Sequence, residues 1–296
     1  MRGRLSPLLE TDARQLWVDI EVLVYLVGMV MRMLLALAVM ITGCCSEVNA
    51  KHLCHLDDSK PQSEKIALIL MNGFGGSSAG CQAQLAFWKD QGMDVFIPDV
   101  LKRQSLEASS AAMHAFVEEF ELDAYREVRA ICYIAGAYLL HAELAVHPLP
   151  NLTHIIYDRS PTQERAPQVA VSEIPLLGWM AMGPVLKDLS EATWPEVPVG
   201  PHLIKGLAIE NRATRLMRML EEAARAMGPL DYEWRHIDST AVDAFHVPLD
   251  HDMMYVRWDV LGAAFQHFFD HAQFPEDAAR EPLFENPFDR TNPIPQ

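Results

Sequence analysis

Lys65-Ile66-Ala67-Leu68-Ile69-Leu70-Met71-Asn72-Gly73-Phe74-Gly75-Gly76 passes from charge through an unbroken apolar run into glycines. An apolar run of this length, bounded that way, is the pattern of a strand buried on both faces. Outward from it the pattern repeats. Asp94-Val95-Phe96-Ile97-Pro98-Asp99 reads as a second strand, with a helix over Gly80–Gln91 between the two. Leu106, Met113, Phe116, Val117 and Phe120 recur at helical spacing. Val128–Ile134 then reads as a strand, Tyr138–Val146 as a helix and Leu152–Tyr157 as another strand. Strand and helix in alternation predict an α/β domain: a mostly parallel sheet, right-handed crossovers and helices on both faces.

Residues 160–200 interrupt the rhythm with Pro161, Pro167, Pro175, Pro184 and Pro195, which suits an inserted cap. Leu176, Leu177, Trp179, Met180 and Met182 in it would line a pocket for a small apolar or acyl ligand, or else complete the core. The alternation resumes with a strand at His202–Ile209, a helix over Arg212–Met227, a strand near Tyr232–Ile237 and a helix over Val256–His271. The last residues, 274–296, are acidic and proline-rich and are predicted to be disordered. The chain therefore divides into a signal or anchor segment (1–45), a linker (46–63), the α/β domain (64–273) and a tail.

Of 296 residues, 40 are Asp or Glu and 24 are Lys or Arg, giving a formal charge of −16. That balance argues against nucleic acid, which requires a basic face. The 5 cysteines lack metal spacing. One disulfide, Cys54 with Cys81, is possible, and neither a metal nor a cofactor is indicated.

Residues 17–43 hold a long apolar stretch broken by Asp19, Glu21 and Arg32. Its last part, Met33–Gly43, is purely apolar, follows Arg32 and ends at Cys44. Ile41-Thr42-Gly43-Cys44 resembles the lipobox of a bacterial lipoprotein, which implies acylation of Cys44 and a membrane tether facing the periplasm or cell exterior. Met31 would then be the start. The competing reading is a transmembrane helix over about residues 22–41, with Arg32 near its centre costing about 3 kcal/mol on insertion scales.

Three segments, in order, resemble the α/β-hydrolase superfamily over roughly residues 64–272. Asn72-Gly73-Phe74-Gly75-Gly76 is similar to the glycine loop whose amides hold an oxyanion, with Asn72 where histidine is usual. The resemblance implies Gly73, Phe74 and Gly75 as the oxyanion loop and the Phe74 amide as a donor. Ala135-Gly136-Ala137-Tyr138-Leu139 stands where the family carries G-x-S-x-G, so the nucleophile position falls on Ala137. A one-residue shift puts Tyr138 there and restores no nucleophile. Val247-Pro248-Leu249-Asp250-His251-Asp252-Met253-Met254-Tyr255 resembles the loop that delivers the catalytic histidine, which implies His251. The acid is Asp158, slightly favoured, or Glu210.

The resemblance implies a hydrolase ancestry with the chemistry degenerate: a membrane-tethered pseudoenzyme that binds a small apolar or acyl ligand or a protein partner. Two alternatives stand beside it. One is an ester or thioester hydrolase using His251 with a displaced nucleophile, for which Ser77, Ser78 and Cys81 are the nearby candidates. The other is an envelope scaffold. His246, Asp250, His251 and Asp252 cluster in sequence, but one loop offers no fixed tetrahedral geometry for a metal.

Overall fold

The computed structural model describes residues 52–74, 76–192 and 202–295. Cys44, Gly75, Pro195 and the segment expected to anchor the chain lie outside the described residues. Among the described residues no helix is long and apolar enough to cross a membrane.

Seven described strands form one sheet: β1 (Leu53–His55), β2 (Ile66–Met71), β3 (Asp94–Ile97), β4 (Glu127–Cys132), β5 (Leu152–Arg159), β6 (Ile204–Glu210) and β7 (Asp243–Val247). Their order is β1-β3-β2-β4-β5-β6-β7, parallel throughout except for β1 on β3. Each central strand buries both faces, so its side chains sort by alternation. Ala67, Ile69 and Met71 point to one core, with Met113 and Phe116 of α2 (Leu106–Glu119) and Leu140 and Leu144 of α3 (Ile134–Val146). Leu68 and Leu70 point to the other, with Trp88 of α1 (Ser78–Trp88) and Trp258, Phe265 and Phe269 of α11 (Trp258–His271).

Chain order reverses about β2: the chain steps to β3 on one side, then returns to β4 on the other. Ligand crevices of open α/β sheets lie at the carboxyl ends of strands at such a reversal. Met71 pairs with Cys132, so the glycine loop and the β4–α3 junction leave the sheet side by side.

The cap consists of α4 (Ala166–Glu173), α5 (Pro175–Met182) and α6 (Val185–Glu191), between β5 and β6. On α5, Leu176, Trp179 and Met180 are exposed, so they neither complete the core nor line an enclosed pocket.

Five expectations are corrected. Within the supposed linker, Leu53–His55 is an edge strand on β3, and neither Cys54 nor Cys81 is in a disulfide. The helix over Arg212–Met227 breaks at Leu220 into α7 (Arg215–Met219) and α8 (Glu221–Ala226). The stretch Tyr232–Ile237 is not a strand. Its Trp234–Ile237 forms a short helix, α9, because Glu233 caps the Arg235 amide, and the strand that follows is Asp243–Val247. The tail is ordered: Phe274 packs under α11 and Phe288 between Val169 and Met217, both buried. Its backbone bonds to the amides of Ala213 and His246. The acidic composition concealed two aromatic anchors.

Candidate functional site

Asp158 is the last but one residue of β5, beside Ala208, and Glu210 ends β6 beside Val247, the last residue of β7. Both carboxylates are thereby brought to the same edge of the sheet. After β7, the Asp250 side chain accepts the Met253 amide and so caps α10 (His251–Met254), which aims His251 back at them. His251 Nδ1 lies 2.6 Å from Glu210 Oε1 and 3.2 Å from Asp158 Oδ2. All three side chains are buried. One Nδ1–H cannot serve both acids. It donates to Glu210, and the Asp158 oxygens have no hydrogen bond among the described residues. Both acids meet the histidine, and the nearer one is Glu210, not the slightly favoured Asp158.

Burial pushes the Glu210 carboxyl well above the usual carboxylate range, and the charge of Asp158 adds to the rise. Burial works against charge on His251, but Glu210 and Asp158 together outweigh it and hold its pKa well above the ordinary value. His246, by contrast, accepts from Asn211 at Nδ1, and burial lowers it to about 4. It takes no part in the cluster. Asp158, Glu210 and His251 bring ligand atoms within 4.8 Å of one another, close enough to hold a cation, although the Nδ1–H in this arrangement is already committed to Glu210.

The other nitrogen of His251 faces a tyrosine. Tyr255, one helical turn on, sets its hydroxyl 3.3 Å from His251 Nε2, and that oxygen accepts the Gly73 N–H at 3.2 Å. The glycine loop thus commits the Gly73 amide to the cluster. Tyr133 stacks on Tyr255 with ring centroids 4.1 Å apart and planes 12° from parallel. Its hydroxyl accepts from Gln84 and donates to the Met254 carbonyl. Gln84 is held in turn by Asn72 through reciprocal amide bonds of 3.0 and 2.9 Å. Burial raises both phenols well above their ordinary value, so neither is a phenolate at neutral pH.

The strand-to-helix junction is not at Ala137. β4 ends at Cys132, Tyr133 is the N-cap and α3 begins at Ile134. Ala137 is buried in the first turn of α3 on the opposite core, its N–H donating to the Tyr133 carbonyl. The close approach falls on Gly136, where a Cβ would lie 1.9 Å from the Met71 carbonyl oxygen. The strand-to-helix turn itself is therefore Cys132-Tyr133-Ile134. No residue from Cys132 to Leu139 has the left-handed backbone that a strained elbow requires.

Of the displaced candidates, Ser77 caps α1 by accepting the Gly80 amide and Ser78 is the first residue of that helix. Cys81 lies against Asn72. Cys132 points away from His251 into the α2–α3 core. Tyr133, Tyr255 and Gln84 escaped the sequence reading, although Tyr255 closes the histidine motif and Tyr133 stands two residues before the Ala135–Leu139 motif. A tyrosine four residues after His251 on a helical turn was the available signal.

No protein-family model and no curated protein matches the chain. Among solved structures, Est1E from Butyrivibrio proteoclasticus matches 75% of this chain and 93% of its own, with a TM-score of 0.51 and 11% identity. Bacillus licheniformis lipase BlEst2 in mature form matches 75% and 97%, at 0.50 and 13%. An α/β hydrolase enzyme from the metagenome of sediments of the Mar Chica lagoon, Morocco, matches 76% and 97%, at 0.46 and 11%. The likeness at this identity is one of fold, and the fold is that of the α/β hydrolases.

Proposed function

We propose that this α/β-hydrolase-fold protein is a pseudoenzyme, held at a membrane by acylated Cys44 and acting by binding rather than by turnover. One observation carries the reading. His251 keeps its acids, but its Nε2 meets the buried hydroxyl of Tyr255 where a base would meet a nucleophile. The stacked Tyr133 and Tyr255 rings fill the space between the histidine, the glycine loop and the start of α3. A phenol that stays protonated in a buried stack is a poor acyl acceptor. The exposed Leu176, Trp179 and Met180 of the cap are apolar surface consistent with a binding role.

A second reading, ester or thioester hydrolysis by a displaced nucleophile, is favoured by the intact pairing of Glu210 with His251. Hydrolysis of acyl esters and acyl thioesters by the full chain in detergent separates the two. The pseudoenzyme reading expects no turnover above that of a His251→Ala variant. Turnover that disappears in that variant overturns it. Metabolic labelling with palmitate, expected to be lost in Cys44→Ala, tests the tether.

A further inference from the structure

Away from this cluster, α2 and α3 pack side by side over the sheet and bring three metal-ligating side chains together. His114 Nδ1 lies 2.9 Å from Glu143 Oε1, and His147 Nδ1 lies 3.2 Å from the same oxygen. The two imidazoles stack with centroids 4.0 Å apart and planes 20° from parallel. Glu143 is buried, whereas His114 and His147 open to solvent. Glu118, one turn after His114, sets its carboxylate 3.4 Å from His114 Nε2.

We propose that His114, Glu143 and His147 form a binding site for a divalent transition-metal ion, Zn2+ by its ligand chemistry, that clamps α2 to α3. Two nitrogen lone pairs cannot both face one carboxylate oxygen, so each Nδ1 there needs a proton or a metal. One ion bound by both Nδ1 atoms and by the Glu143 carboxylate would satisfy all three groups at a single centre, and their ligand atoms lie within 4.8 Å of one another.

Glu118 stands on the Nε2 side of His114, the side on which carboxylates stand behind metal-bound histidines. Two imidazoles and one carboxylate, with an open side for water, suit Zn2+, while Mg2+ and Ca2+ prefer oxygen donors throughout. Bonds of about 2.0–2.1 Å to such an ion need donor atoms roughly 3.3–3.5 Å apart. The observed 2.9 and 3.2 Å call for a small opening, and the stacked rings must turn so that both Nδ1 lone pairs meet at one ion, a rotation that the half-exposed His147 side chain permits.

Calorimetric titration of the full chain in detergent with Zn2+, and with Mg2+ as the contrasting probe, tests the site. Zn2+ is expected to bind one ion and raise Tm, with no response to Mg2+. His147→Ala leaves Glu143 its bond to His114, so the fold should persist while Zn2+ affinity falls at least tenfold. His114→Ala with His147→Ala should abolish the Tm response. Absence of Zn2+ binding, or binding and Tm response unchanged in the double variant, overturns the proposal. The second outcome would place the ion at another group, such as the buried Asp158–Glu210–His251 cluster.

Discussion

Tyr255 holds one buried hydroxyl between the Gly73 amide and His251 Nε2. Tyr255→Phe keeps the ring and removes that oxygen, leaving two buried polar groups unpaired. The expected loss is about 1–3 kcal/mol, read from denaturant unfolding. A neutral result would mean that the hydroxyl does not bridge them. His251 gives a second residue-scale expectation. Its ordinary pKa is 6.5 and the folded value is well above it, so the native chain holds a proton that the unfolded chain releases. The stabilisation is full below about pH 6.5 and is lost as pH rises through the folded value. Glu210, raised from 4.5, slopes stability the same way. Stability measured from about pH 5 to about pH 9 should therefore fall, and fall less steeply in His251→Asn. Sequence reasoning reached His251 and both acids because each stands just past a legible strand. Tyr133 and Tyr255 were not legible as site residues, since an apolar ring reads as core whether or not its hydroxyl faces a histidine.

At the element scale the β4–α3 junction turns on Gly136. Within an exposed helix, Gly→Ala would gain about 1 kcal/mol. Here the added carbon would meet the Met71 backbone at 1.9 Å, and backbone cannot swing aside as a side chain can. Gly136→Ala should destabilise by about 3 kcal/mol or more, a reversal of sign that thermal unfolding would reveal at once. The strand ends were blurred in sequence, because Cys132, Tyr133 and Ile134 are apolar on both sides of the boundary. Only the backbone shows that the helix begins at Ile134 and that Gly136 is the glycine against β2. The strand after α8 was misplaced for a related reason: Asp243 and His246 hide the apolar alternation of β7, while Trp234 and Ile237 imitate one.

Across the whole molecule, the tail links β6, β7 and the cap. Arg280 pairs with Asp243, Arg212 reaches the carbonyls of Asn292 and Pro293, and Phe288 fills a small core with Val169, Ala213 and Met217. Phe288→Ala should cost about 3 kcal/mol in urea unfolding, whereas a disordered tail predicts almost no change. The sequence by itself determined the five strands β2 to β6, their alternation with helices, the cap position and the candidates at the strand ends. Those follow from local periodicity and from glycines, which a chain displays without folding. Only the tertiary structure decided that Asp158 and Glu210 share one histidine, that two tyrosines occupy the space beyond it, that the tail packs, and that His114 meets His147. Each of these depends on which surfaces come together across many residues, and contact at that range leaves no period in the chain to read.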